Sequence, residues 1–356
     1  MTKSAKNKPD LLDLLPEEID RLFGALGIEP YRTTQIVQWL YTHGARSFGE
    51  MTNLPKGLRD KLSQEYRITD LKPIETLVSR RDRTKKFLLE LSDGAAVETV
   101  PLPEGQRSTA CLSTQVGCSF GCVFCASGKD GFKRNLSAGE IVDQARRARF
   151  DPDAGRLTNI VLMGMGEPLA NYPATAKAVR IFQHKRCFGI GKRRVTISTA
   201  GYVPGIRRLA EDDLPVRLAI SLHAPDDKTR SRLMPINRKY PIKELLGACR
   251  PLAGKPQTPL TIEYMLMDGV NDSMQQARKL AEICRPLEAK VNLITYNPAL
   301  TEKFAAPPRE KVLRFQSVLR EAGLLAFIRR SRGLDIHGAC GQLGLRSIRH
   351  PHKNSV

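Results

Sequence analysis

Cys118, Cys122 and Cys125 lie in the stretch Gly117-Cys118-Ser119-Phe120-Gly121-Cys122-Val123-Phe124-Cys125, the one place in the chain where several thiols crowd together. Such spacing on a glycine-bearing loop lets three thiolates converge on one object, and thiolates are the ligands of soft metals. A structural zinc site takes four closed ligands, usually as two cysteine pairs, and no second pair or Cys/His partner follows at comparable spacing. Three thiolates suit a [4Fe–4S] cluster that keeps one iron without a protein ligand, where chemistry can occur. Of the other cysteines, Cys187, Cys249 and Cys284 stand alone on apolar-periodic stretches and read as small core residues. Cys111 and Cys340 read in the same bland way until their context is added.

The C-x3-C-x2-C spacing, with an aromatic before the last cysteine, resembles the radical S-adenosylmethionine (SAM) superfamily. That resemblance implies a free iron chelating the amino and carboxylate groups of SAM, and a reduced cluster that cleaves SAM to a 5′-deoxyadenosyl radical. A second match follows in Gly164-Met165-Gly166-Glu167-Pro168, behind the apolar run Asn159–Met163. Glycine lets backbone approach a ligand closely and a carboxylate accepts an ammonium, so Gly166 and Glu167 are expected at the amino end of SAM. Ser198, Ser221-Leu222-His223 and Asn297 fall at equivalent strand ends and are expected around the same mouth, although Ser and Asn also end strands without any function.

Elements must hold these residues together. Apolar runs at Asn159–Met163, Arg194–Ser198, Val216–Leu222, Thr261–Leu266, Val291–Thr295 and Leu325–Ile328 alternate with amphipathic stretches at Ser137–Arg149, Tyr172–His184, Ile242–Arg250, Ser273–Cys284 and Arg309–Ala322. Repeated strand–helix units predict an α/β fold, a partial (β/α)6 barrel of parallel strands with its active site at the C-terminal strand ends. Ser137 with Glu140 is a capping-box pattern marking the helix after the cysteine loop. Upstream, Pro16 opens one helix, Thr33–His43 forms a second that stops at Gly44, and Pro55 opens a third, giving a small N-terminal helical domain. Trp39, beside Ile36, Val37 and Leu40, reads as core. The expected divisions are a helical accessory domain over 1–72, a β-rich lead-in over 73–104, the catalytic domain over 105–345 and a basic tail over 346–356.

Lys and Arg number 57 against 37 acidic residues, a net charge of +20 whose field gathers polyanions and points to nucleic acid. No apolar run approaches the roughly 18 residues of a membrane span, and the polar, lysine-rich opening is no signal peptide, so a cytoplasmic protein is expected.

On Pro30-Tyr31-Arg32, Gln38-Trp39, Met51-Thr52, Val97-Glu98-Thr99-Val100, Cys111 through Cys125, Gly131-Phe132, Arg134-Asn135-Leu136, Met163–Pro168 and Ala339-Cys340-Gly341-Gln342-Leu343, nearly the whole chain resembles the RlmN/Cfr family of rRNA methyltransferases. An adenine carbon between two nitrogens is too electron-poor to attack the methyl of SAM, so such an enzyme needs radical chemistry and spare thiols. The resemblance implies that Cys340 takes a methyl from one SAM and a second SAM supplies the radical, two per turnover. It implies that Cys111 resolves the protein–RNA adduct by a disulfide with Cys340, and that Glu98 is a proton acceptor. It also implies an adenosine of 23S rRNA as substrate, with carbon 2 and an adenosine beside the tRNA anticodon for RlmN members and carbon 8 for Cfr members. An electron donor such as flavodoxin or ferredoxin and a monomeric state are expected. His337-Gly338 replaces the Asp-Ala that usually precedes Ala-Cys-Gly-Gln-Leu, which leaves the target carbon open. Another radical SAM activity, or an iron–sulfur or zinc protein that only binds RNA, are the competing readings.

Overall fold

Three amphipathic helices begin the chain: α1 (Pro16–Gly24), α2 (Pro30–Gln38) and α3 (Lys56–Glu65). Proline occupies the first position of α1 and α2, where a missing N–H costs nothing. The second helix starts earlier than expected and ends in a wide π turn, Trp39–His43, closed by Gly44 at φ 74°. That turn lifts Trp39 to the rim, half-buried, with its indole N–H donating to Asn53 Oδ1 at 2.6 Å, so it is not the full core residue its neighbours suggested. The computed structural model described here covers residues 8–129, 131–254, 259–298 and 304–344. The expected basic tail lies outside the described residues.

Next come β1 (Lys72–Val78), β2 (Lys85–Glu90), β3 (Ala96–Glu104), β4 (Arg107–Cys111), and the short pair β5 (Gln115–Val116) and β6 (Arg134–Asn135), which flanks helix α4 (Ala126–Lys129). Then follow α5 (Ala138–Arg149), β7 (Arg156–Leu162), α6 (Tyr172–Gln183), β8 (Val195–Thr199), α7 (Val203–Glu211) and β9 (Arg217–Ser221). The chain finishes with α8 (Asp227–Leu233), α9 (Ile242–Cys249), β10 (Thr261–Leu266), α10 (Met274–Cys284), β11 (Lys290–Thr295), α11 (Arg309–Glu321) and β12 (Ala326–Arg329). All six expected strand runs are strands. A seventh parallel strand, β4, precedes the cysteine loop.

One ten-stranded sheet runs in the order β1-β2-β3-β4-β7-β8-β9-β10-β11-β12. The first three strands are antiparallel, and every pairing from β4–β7 onward is parallel. Side chains from β4, β7, β8, β9, β10 and β11 line one common cavity, which a flat sheet could not arrange; the parallel part is a curved, open barrel. Among the described residues no helix is long and apolar enough to cross a membrane.

The outer helices bury their apolar stripes on the sheet. Helix α5, capped by Ser137 accepting from Glu140 N and by Glu140 accepting from Ser137 N, buries Ile141, Val142, Ala145 and Ala148. Each larger side chain so buried contributes about 1.5–3 kcal/mol. The same helix holds the N-terminal helices: fully buried Arg146 donates to the carbonyls of Leu40 (3.1 Å) and Ala45, and pairs with Asp143 at 2.9 Å. Asp143 in turn accepts from Leu71 N at 2.8 Å.

Candidate active site

The cysteine loop is pinched at its base by the β5–β6 ladder, in which Gln115 pairs with Asn135 and Val116 with Arg134. Gly117 sits at φ 74° with the Gly131 carbonyl where a Cβ would stand, so no other residue closes this loop. Buried Asn171 ties the base shut by donating to Thr114 O (2.9 Å) and Leu136 O (2.8 Å). Arg134 bridges Asp93 at 2.6 Å and Glu140 at 2.8 Å, and holds the Asp93 carboxyl down to about 2. On the far side Val123 N donates to Leu233 O and Ala126 N to Gly341 O.

Cys118, Cys122 and Cys125 all face one cavity at the C-terminal ends of the parallel strands. Burial pushes the Cys118 thiol up to about 12 and Cys122 well up, and in each case neighbouring thiols add to the effect. Among the described residues no three His, Cys, Asp or Glu side chains form a ready-made metal group. Three half-buried thiols facing one cavity oppose one another's ionisation, and a bound cation reverses that cost. The donor set nonetheless fits an iron–sulfur cluster. Three sulfurs from one short loop face one cavity, and the buried Arg230 guanidinium favours the thiolate of Cys122.

The same cavity is lined by Gly166, Glu167, Ser198, Ser221, His223 and Cys340, so nine of the thirteen expected site residues meet there. Gly166 is held at φ 97°, with Gln115 Cβ only 2.5 Å from where its own Cβ would stand. Gln115 Oε1 accepts from Glu167 N at 2.8 Å and so aims the carboxylate. That carboxylate accepts from Leu169 N at 3.1 Å and from Ala200 N at 2.8 Å. Burial outweighs these bonds and raises Glu167 to about 7, which suits a group whose intended partner is a cation. His223, in a left-handed turn at φ 57°, accepts from Met265 N at 3.0 Å through Nδ1 and meets the Phe124 ring edge-on. Burial drives it down to about 3; the ring is neutral, and its Nε2 carries the proton.

Four expected residues stand outside this cavity. Leu222 is fully buried in the main core, so only its backbone is near the mouth. Asn297 lies behind the C-terminal segment and donates to Cys340 O at 3.2 Å. Cys111, at the end of β4, faces a second cavity inside the barrel, which shares Met163, Glu263, Ile294 and Cys340 with the first. Cys340 is solvent-exposed in this double cleft, and surrounding protein raises its thiol to about 11, with Glu263 adding to the rise. Glu98 is in neither cavity; it is wholly buried and paired with Lys86 at 2.7 Å. The expected Cys111–Cys340 disulfide is corrected: both thiols are free, and both line the inner cavity.

Sequence reasoning passed over Thr199, Glu263, Met265, Gln115 and Arg230. The first three line the mouth: Thr199 ends β8, Met265 is next to last in β10, and Glu263 lies two residues before Met265 on the same strand. Arg230 had no local signal. It is fully buried and donates to Leu222 O (3.1 Å), Ser221 O (3.1 Å), Ala200 O (2.7 Å) and Asn237 Oδ1 (2.7 Å), fastening the ends of β8 and β9.

Residues 112–281 match the model of the radical SAM superfamily, and residues 9–68 match that of the ribosomal RNA large subunit methyltransferase N-terminal domain. The chain is 47% identical over 340 residues to a probable dual-specificity RNA methyltransferase RlmN of Thermotoga maritima, covering 96% of this chain and 98% of the relative. The chain belongs to the RlmN family. A similarly named protein of Thermus thermophilus is 47% identical over 348 residues, covering 97% of this chain and 96% of the relative. The crystal structure of a radical SAM methyltransferase from Sphaerobacter thermophilus superimposes with a TM-score of 0.89 at 46% identity, covering 94% of this chain and 99% of that one. RlmN-family membership accounts for the pairing of a helical N-terminal unit with a radical SAM barrel in one chain.

Proposed function

We propose that this RlmN-family chain methylates carbon 2 of an adenosine in 23S rRNA and of an adenosine 3′ of the anticodon in tRNA, with Cys340 as the methyl carrier. The observation that carries this reading is the place of Cys340, which faces both the mouth ringed by the three loop cysteines and the inner cavity that holds Cys111. The relatives' shared name, dual-specificity RNA methyltransferase, supports two RNA substrates, and the net charge of +20 suits them.

Cys118, Cys122 and Cys125 would hold a [4Fe–4S] cluster, which supplies the electron that opens SAM when an electron donor such as flavodoxin or ferredoxin has reduced it. Glu167 takes the SAM ammonium, with Gly166 leaving room for the approach. Ser198, Ser221 and the neutral Nε2–H of His223 offer hydroxyl and N–H groups to the rest of the ligand. Cys340 loses its thiol proton to solvent, and its thiolate attacks the methyl carbon of a first SAM, forming an S–CH3 bond as the carbon–sulfonium bond breaks and S-adenosylhomocysteine leaves. Asn297 steadies the backbone of Cys340 through that step. Cys111, which lines the inner cavity together with Cys340, would act as the second reacting thiol. A cytoplasmic monomer fits such a role.

The test is mass analysis of rRNA and tRNA nucleosides from cells with the wild-type chain, with none, and with C340A. Wild type is expected to restore 2-methyladenosine, and C340A to restore none while still cleaving SAM to 5′-deoxyadenosine. Appearance of 8-methyladenosine would move the target to carbon 8, and methylation by C340A would end the carrier role.

A further inference from the structure

The segment bearing Cys340 is otherwise irregular, yet it is gripped at both ends by one buried ion pair. Lys86 on β2 and Glu98 on β3 lie diagonally across an antiparallel ladder, 2.7 Å apart, with side chains only 3% and 0% exposed. Lys86 Nζ also donates to His337 O at 3.3 Å, and Glu98 Oε2 accepts from Gly344 N at 2.7 Å. These two contacts bracket Cys340. Between them Ala126 N reaches Gly341 O, Ser127 Oγ reaches Leu343 O at 2.5 Å, and Gln342 Nε2 reaches Pro298 O at 2.8 Å. The cysteine loop and the Cys340 segment are thereby built against each other.

We infer that Lys86 is a positioning residue for the methyl carrier: its ion pair with Glu98 clamps the backbone of residues 337–344 and holds the Cys340 sulfur at the junction of the two cavities. This inference rests on the reading of Cys340 as carrier. A buried charge pair is costly to desolvate and is a poor way to gain stability alone, whereas its fixed directions specify one arrangement of the groups it touches. The clamp grips a carbonyl at 337 and an amide at 344, not side chains. It therefore tolerates the His337-Gly338 sequence, whose His occupies a left-handed turn at φ 51° that His, Asn and Asp accept more readily than most residues.

The test uses the reconstituted full-length enzyme as wild type, K86M and K86M/E98L. The double variant removes both charges, so it does not strand a buried carboxylate as K86M does. Three quantities are measured: amide exchange of residues 333–344, the rate of Cys340 alkylation by iodoacetamide, and the ratio of methylated RNA to 5′-deoxyadenosine. Both variants are expected to show at least tenfold faster exchange confined to this segment, faster alkylation, and a ratio at least tenfold lower with SAM cleavage retained. A double variant whose exchange stays within twofold of wild type overturns the clamp, whatever its product ratio. If neither variant folds, wild type decides: a protected Gly344 amide supports the clamp and a freely exchanging one overturns it. Exchange and alkylation are read without RNA. They therefore judge the clamp even if C340A proves active and the carrier role falls.

Discussion

Replacing Arg230 with methionine would keep most of the side-chain volume and remove four hydrogen bonds, to Leu222 O, Ser221 O, Ala200 O and Asn237 Oδ1. Each buried acceptor left unpaired costs about 1–3 kcal/mol, while no longer burying a guanidinium returns several kcal/mol. The net loss expected for taking one member from such a buried network is about 3–5 kcal/mol. Unfolding entropy near 2.1 cal/mol/K per residue amounts to about 0.75 kcal/mol/K for 356 residues, so Tm should fall by about 4–7 °C. Differential scanning calorimetry of R230M checks this. Ala200 and Ser221, whose carbonyls Arg230 holds, line the mouth, so calorimetric titration should also show SAM binding weakened about tenfold, or about 1.4 kcal/mol. R230K keeps the charge but cannot span all four acceptors, and it should fall between. A Tm for R230M within about 1 °C of wild type, with unchanged SAM affinity, would refute the reasoning.

His223 is depressed to about 3 in the fold, while the unfolded chain titrates near the ordinary 6.5. A depressed histidine stabilises above its unfolded value and loses that contribution as pH falls, here about 5 kcal/mol between about pH 6.5 and 3. H223N, which tolerates the left-handed backbone, should show a flatter decline of the urea midpoint across that window; parallel curves would show that His223 is not its source. Gly166 has no room for a methyl group at φ 97°, so G166A should lose stability by about 1–3 kcal/mol and SAM binding with it. Gly247 in α9 has nothing within 4 Å of its Cβ position, and G247A should gain about 0.4–1 kcal/mol and bind SAM normally. Equal behaviour of the two variants in denaturant titrations would refute this reading of Gly166.

What the sequence by itself determined is local chemistry. Cys118, Cys122 and Cys125 sit within one turn-rich loop, so their convergence follows from spacing. Gly166-Glu167 needs only its place after a strand, and Ser137 with Glu140 caps a helix through atoms a few bonds apart. The barrel was legible because alternating strand and helix periodicities leave parallel pairing as the compact solution. Nothing local announced β4 as the first parallel strand, since its outer neighbour is antiparallel while its inner one is parallel. Only the tertiary structure decided which distant residues meet. It carried Cys340 to the rim of the cysteine loop and left Cys111 facing the inner cavity with a free thiol. It also took Glu98 out of the cleft, because a carboxylate buried in a sheet needs a cation, and Lys86 on the neighbouring strand is the one that reaches it. Such pairings depend on sheet register and crossover geometry. Those are settled by the burial of the whole core rather than by the residues that pair.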